Sequence, residues 1–286
     1  MTVSDILARL PWVGARPPVV NVVRLAGAIG AVGPLRSGLT LAGLERIIER
    51  AFAGKPAAVA LAVNSPGGSA AQSAQIARRI RQLAAEKNVP VLAFAEDVAA
   101  SGGYWLACAG DEIFAEETSI VGSIGVISAG FGLEDAIHRL GVARRLYATG
   151  PRKGMLDPFR PENPEDVARL RRIQDDIFES FKDHVRARRA GRLKADEAVL
   201  FDGGVWSGRE ALALGLIDGI GDMRSILRAR YGDKLRLRAM AARPSRLRRL
   251  IPWAGAGAGA EERAAAWTLG ALAAVEEWAL WRRFGL

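Results

Sequence analysis

A chain of 286 residues, half of them apolar, is long enough to bury the core of one large α/β domain with an extension attached. Its single cysteine, Cys108, excludes an internal disulfide framework and a cysteine-rich metal site, so the fold does not require an oxidising compartment. The formal charge of +9 is concentrated: residues 224–249 hold nine Arg, Lys234 and one acid, Asp233, a local balance of +9 that leaves the remainder neutral.

The first 20 residues carry Asp5, Arg9, Pro11 and Arg16 and lack the apolar core of a signal peptide. No stretch reaches the roughly 18 uninterrupted apolar residues of a spanning helix, so a cytoplasmic location, or a peripheral one on the inner membrane, is expected. Residues 1–18 read as an N-terminal segment. From about residue 19 strand and helix patterns alternate, which predicts a sheet with helices packed on it over residues 19–222. "PPVVNVVRLAG" is β-branched and short. "AAVALAVNS" (57–65) is a continuous apolar run ending at the turn "SPGG", and the following segment has helical spacing at Ile76, Ile80 and Leu83. "VPVLAFA" (89–95) is the next buried strand, Ser101 sits in the turn after it, and "GGYWLACAG" opens a short helix. Two successive strand-to-helix turns are thus built alike.

"DEIFA", "IGVIS" and "RRLYATG" are predicted as short strands around a helix in "LEDAIHRLG". After the loop "GPRKGMLDPFRPENPED", Val167, Leu170, Ile173, Ile177, Phe181 and Val185 fall at steps of three and four and predict a long amphipathic helix. "VWSGREALALGLIDGIGD" (205–222) closes the domain. Residues 223–286 read as an extension comprising the basic block, "AGAGAGA" (254–260) and a final helix with Trp267, Ala271, Val275, Trp278 and Trp281 on one stripe. A basic block of this kind attracts anionic lipid head groups or nucleic acid, and a Trp stripe suits a membrane interface or a partner groove. A solvated arm and a helix packed back on the chain's own core are the plainer readings of the same residues.

A hydroxyl that attacks a carbonyl creates an oxyanion, and preorganised backbone amides stabilise it, each worth on the order of 10² to 10³ in rate. The turn "NSPGG" can present the amides of Gly67 and Gly68, and the turn after Ser101 supplies that of Gly102. The base is less evident. The two histidines, His138 and His184, fall in helical contexts and read more simply as helix-edge residues. A lysine serves only when neutral, which from a reference pKa near 10.4 requires about 3 to 5 kcal/mol of desolvation. Of the six lysines, Lys153 in "TGPRKGMLDPF" stands in an irregular, glycine-flanked loop directly after a predicted strand, where an ordinary loop lysine is the alternative reading.

The stretches "VVRLAGAIG", "VALAVNSPGGSAAQSAQIARRI", "VPVLAFAEDVAASGGYWLACAGDEIFA", "TSIVGSIGVIS", the loop around "RKGMLDPFRPENPED" and "VWSGREALALGLIDGIGD" run in one order over about 200 residues. In that order they resemble the signal peptide peptidase A family of membrane-associated Ser/Lys endopeptidases. The resemblance implies an α/β, Clp/crotonase-like fold of repeated β-β-α units with a helical C-terminal extension. It implies Ser101 as nucleophile, Lys153 as general base, Ser123 of "GSIGV" as the hydroxyl that orients the lysine, and Gly67, Gly68 and Gly102 as the oxyanion hole. No cofactor or metal is expected. Peptides are the implied substrates, leftover signal peptides among them, and nucleic acid is not the expected partner. The family's N-terminal membrane helix has no counterpart here, so an anionic membrane surface would be met by the basic block and Trp helix. The length matches the single-repeat form, which implies a homo-oligomeric ring with sites shared between subunits. Two other readings stay open: a crotonase-like acyl-CoA enzyme with a carboxylate base such as Glu116 or Glu117, and a non-enzymatic membrane-surface scaffold.

Overall fold

The computed structural model describes residues 17–30, 38–150, 152–241, 279 and 281–285. The predicted N-terminal segment lies almost wholly outside them, as do four residues of the predicted Trp stripe, Trp267, Ala271, Val275 and Trp278.

Eight described strands form one sheet: β1 (Val19–Ala26), β2 (Ala58–Ser65), β3 (Val91–Ala100), β4 (Glu112–Ala115), β5 (Ile120–Gly122), β6 (Val205–Ser207), β7 (Gly219–Ile220) and β8 (Arg236–Met240). The main path runs β6-β5-β3-β2-β1-β8, with β4 joining β3 to β7 off that path. All pairs are parallel except β5 with β6. A parallel strand covered on both faces needs apolar side chains at every position, and β2 (AVALAVNS) is buried at seven of its eight residues. Helices α1 (Leu41–Ala51) and α2 (Ala70–Lys87) supply part of that cover through Leu44, Ile48, Ile76 and Ile80. A smaller cluster around Phe94, Phe114 and Leu227 occupies the other face.

The path of β3 positions the site. Its first half, Leu92–Ala95, pairs with β4, whereas its last residues, Val98–Ala100, pair with β5. A register shift in the β2–β3 ladder between Val63 and Ser65 accompanies the change of partner. The strand ends of β2, β3 and β5 therefore lie side by side, and α3 (Gly102–Ala107) begins immediately after β3.

Two of the predicted strands are corrected. "IGVIS" is not a strand; β5 ends at Gly122, just before Ser123 takes a positive φ of 51° and turns the chain out of the sheet. "RRLYATG" joins no strand among the described residues, and Tyr147 within it is 91 % exposed. The helix predicted in "LEDAIHRLG" is present as α4 (Glu134–Arg139), and the long helix as α5 (Pro164–Arg188). Asn163 caps α5 by accepting from the Glu165 amide, and Pro164 fills the first turn, where its missing N–H costs nothing.

No described residue from 125 to 163 is buried, so this stretch stands away from the sheet as an arm. Of the α5 stripe, Phe181 and Val185 are buried and Ile173 is exposed, so the helix packs by its C-terminal half alone. Just past that half, Arg189 is fully buried, donating to the Gly215 carbonyl at 2.8 and 3.1 Å and pairing with Asp218 at 2.6 Å. Beyond it lie α6 (Glu197–Leu200) and α7 (Gly208–Leu214).

The expected boundary after residue 222 is not where the packing ends. Leu227 of α8 (Met223–Tyr231) is buried in the smaller cluster, and β8 pairs with β1 from Arg236 to Met240, carrying the first part of the basic block into the sheet. Arginines at this edge fit a strand that must not recruit another sheet. No described helix is long and apolar enough to cross a membrane.

Candidate active site

The first strand-end turn, Ser65–Gly68, is fastened to the loop after β1. The Ile29 amide donates to the Gly67 carbonyl at 2.8 Å, and the Ser69 amide donates to the Ile29 carbonyl at 2.8 Å. Gly68 has φ +139°, and a Cβ there would stand 2.2 Å from the Ile29 carbonyl oxygen, so no side chain fits. Gly67, at φ +103°, lies against the second turn: a Cβ there would be 2.7 Å from Ser101 Cβ and 3.0 Å from the Gly102 amide nitrogen.

The second turn holds Ser101 at φ 52°, ψ −123° between β3 and α3. A non-glycine residue in such a conformation costs about 1 to 3 kcal/mol and persists when its surroundings over-determine it. They do so here. The Ser101 amide donates to the Gly122 carbonyl at 2.7 Å, and its carbonyl accepts from the Trp105 amide at 3.0 Å. Ser101 is half-buried, and its hydroxyl does not cap α3. It thus stands at a sharp strand-to-helix turn beyond the carboxyl ends of parallel strands, the arrangement that exposes a nucleophilic hydroxyl in other α/β enzymes.

Of the three amides expected to meet an oxyanion, that of Gly67 donates to Ser65 Oγ at 3.2 Å. The amides of Gly68 and Gly102 have no acceptor among the described residues, and a Cβ on Gly102 would lie 3.4 Å from the Gly68 nitrogen. Two unpaired donors beside one hydroxyl form the geometry that stabilises developing negative charge on a carbonyl oxygen. Gly102 and Gly103 are both pinned in place. Added Cβ atoms would come within 2.5 Å of Ser73 Oγ and 2.4 Å of the Ser65 carbonyl oxygen, respectively.

Ser123 is brought close by sheet register. Ala100 of β3 is opposite Gly122 of β5, so Ser101 and Ser123 directly follow paired residues on neighbouring strands, both with positive φ. The Ser123 amide donates to the Gly204 carbonyl at 2.6 Å. Lys153, by contrast, is exposed on the arm, and no hydrogen bond among the described residues joins it to Ser101 or Ser123. The strand ends therefore gather the serine, its hydroxyl neighbour and the amides, and among the described residues no hydrogen bond ties the lysine to them.

Neither histidine faces Ser101. His184 donates from Nε2 to the Trp105 carbonyl at 3.1 Å and stacks on the Trp105 ring, and burial pushes its pKa down to about 4. His138 lies on the arm beside a cavity of about 450 Å³, lined also by Ile137, Val142, Arg144, Leu146 and Phe159, which contains none of the expected site residues. Burial pushes the Cys108 thiol up to about 12, which makes it inert as a nucleophile. No cluster of His, Cys, Asp or Glu suited to a metal occurs among the described residues.

The sequence reading passed over Ser65 and Ser73, both fully buried against the two turns. Ser73 carried a signal, since it falls on the same helical stripe as Ile76 and Ile80 and so places a hydroxyl where a core residue is expected.

The profile of peptidase family S49 matches residues 83–234 of this chain. A Brucella abortus protein named Na(+)/H(+) antiporter NhaA is 50 % identical over 272 residues, covering 93 % of this chain and 37 % of that protein. The chloroplastic serine protease SPPA of Arabidopsis thaliana is 32 % identical over 210 residues, 71 % of this chain and 31 % of that protein. The chain thus spans about a third of the length of these two relatives, and the antiporter name belongs to a polypeptide that is mostly unaligned with it. Among solved structures, 1510-N, a membrane-bound stomatin-specific protease, has a TM-score of 0.50 at 17 % identity, over 79 % of this chain and 99 % of that one, a likeness of fold.

Gly68→Ala tests the paired amides, because its Cβ collides with backbone rather than with a side chain that could rotate away. Peptide hydrolysis should fall on the order of 100-fold or more, measured on folded protein with a fluorogenic peptide; a variant as active as the parent would remove Gly68 from the site.

Proposed function

Because the chain belongs to peptidase family S49, we propose that it is a serine endopeptidase whose nucleophile is Ser101 and whose general base is Lys153. The observation that carries this reading is the strained Ser101 turn lying against the unpaired amides of Gly68 and Gly102. Ser101 Oγ attacks the scissile carbonyl carbon while its proton passes to the neutral amine of Lys153. The oxyanion lies on the Gly68 and Gly102 amides, with Gly67 shaping their turn. As the C–N bond breaks, the lysine returns the proton to the leaving amine. Water then enters, gives a proton to the lysine and adds its oxygen to the acyl carbon, and the acyl group leaves Ser101, whose oxygen takes the proton back from the lysine. Ser123 accepts a hydrogen bond from the lysine and orients it; a hydroxyl suits this role because a carboxylate would hold the amine protonated.

The lysine reaches the serine by assembly. In one chain Lys153 is exposed and apart from Ser101, on an arm that also exposes Ile127, Phe131, Leu140 and Tyr147. A second copy covering these side chains would bury large apolar area and desolvate the lysine, which favours its neutral form. The proposed species is a homo-oligomeric ring with Lys153 of one subunit serving Ser101 of the next. Its substrates are proposed to be extended apolar peptides, leftover signal peptides and other membrane-derived segments, in keeping with the signal peptide peptidase A resemblance. An anionic membrane surface is a further proposed partner, met by the basic block and Trp helix of residues 224–286, most of which lie outside the described residues.

The acyl-CoA alternative has less support. Glu117, one of its two candidate bases, is paired with Arg209 at the surface, and the family whose profile matches is a peptidase family.

Ser101→Ala and Lys153→Arg should each lower peptide hydrolysis by roughly 10⁴-fold, the first by removing the nucleophile and the second because guanidinium stays protonated. An active Lys153→Arg protein would point to another base.

The shared site predicts complementation. Ser101→Ala and Lys153→Ala proteins, each inactive, should regain part of the parent activity when dissociated, mixed and reassembled. Mixed oligomers verified by mass spectrometry that stay silent would place both residues in one chain.

A further inference from the structure

The nucleophile turn is the N-terminal end of a helix of six residues, α3, too short to hold its shape unaided. The last carbonyls of such a helix have no partner within it and must find one elsewhere. They find it on α5. His184 donates to the Trp105 carbonyl at 3.1 Å, and Arg188 donates to the carbonyls of Cys108 and Gly110, each at 2.9 Å. The Trp105 ring is sandwiched from the same helix, stacking on Phe181 at 4.7 Å and on His184 at 5.2 Å between centroids.

Trp105 connects this grip to the turn, because its amide donates to the Ser101 carbonyl at 3.0 Å. One residue is therefore bound at its carbonyl and ring by α5, and at its amide by the nucleophile itself. Building on the serine-nucleophile reading above, we propose that His184 is a positioning residue for the Ser101 turn. Its hydrogen bond to the Trp105 carbonyl fixes α3 along its axis, and with it the Ser101 hydroxyl and the Gly102 amide. A strained turn needs such a restraint, since displacement of α3 would let Ser101 relax from φ 52°. Neutral imidazole suffices as donor, and burial keeps the ring neutral, as does Arg188 one turn further along α5.

His184→Phe keeps an aromatic face for Trp105 and removes the donor, whereas His184→Gln keeps a donor and removes the ring. Steady-state hydrolysis of a fluorogenic peptide by the assembled protein, below the melting temperature of every variant, separates positioning from simple support. The proposal expects His184→Phe to lower kcat about tenfold with KM within about twofold, and His184→Gln to hold kcat within about threefold of the parent. If His184→Phe does not fold, His184→Met removes the donor in its place. A donor-less variant with parental kcat, whatever its melting temperature, overturns the proposal; so does a His184→Gln protein as slow as His184→Phe. Parental turnover by Ser101→Ala in the same assay would instead sink the serine-nucleophile reading, so the two failures are distinguishable.

Discussion

The active end of this molecule depends on two backbone turns approaching more closely than side chains permit. Gly68 lies against Ile29, Gly67 against Ser101, Gly102 against Ser73, and Gly103 against Ser65, each where a Cβ would stand within 2.7 Å of another atom. Absence of side chains lets the ends of β2 and β3 meet, and the meeting places the Gly68 and Gly102 amides beside one hydroxyl. The cost is a serine held at positive φ, offset by hydrogen bonds from its amide to Gly122 and from Trp105 to its carbonyl. Fixed amides need no reorganisation when charge develops, which is why rigidity at this point serves catalysis.

That rigidity contrasts with the arm from 125 to 163, which buries none of its described residues. The sheet and α3 determine where the proposed nucleophile and its amide donors lie, whereas the proposed base, Lys153, is exposed on the arm. The proposed neutral lysine and the exposed apolar side chains of the arm would both be served by burial against another copy, as the proposed ring supplies. The C-terminal half of α5 belongs to the rigid part, gripping α3 through His184 and Arg188, while Ile173 in its N-terminal half is exposed. One helix thus runs from the clamp on the nucleophile helix to the surface a neighbour would cover.

Much of this was legible in the sequence because glycine, proline and short apolar runs report backbone requirements directly. The runs before "SPGG" and before Ser101 announced buried parallel strands, and the glycines marked the turns that carry the amides. Spacing at Ile76 and Ile80 likewise points to α2, and steps of three and four from Val167 to Val185 point to α5. The strands expected at "IGVIS" and "RRLYATG" failed for a reason local composition does not encode: β-propensity describes a residue's fit to a paired surface, and neither segment has a strand partner among the described residues. The pairing of β8 (RLRAM) with β1 was hidden because the strand alternates arginine with apolar residues and reads as part of a basic block. The grip of His184 on Trp105 joins residues 79 positions apart, and no motif reports it.

The central claim is that Ser101 is the group acylated during turnover. Incubating the assembled protein with a serine-reactive acylating probe, followed by digestion and peptide mass spectrometry, tests it most directly. The account predicts a single adduct on Ser101, formed in competition with peptide substrate. An adduct on another residue, or none while peptide is being cleaved, would contradict it.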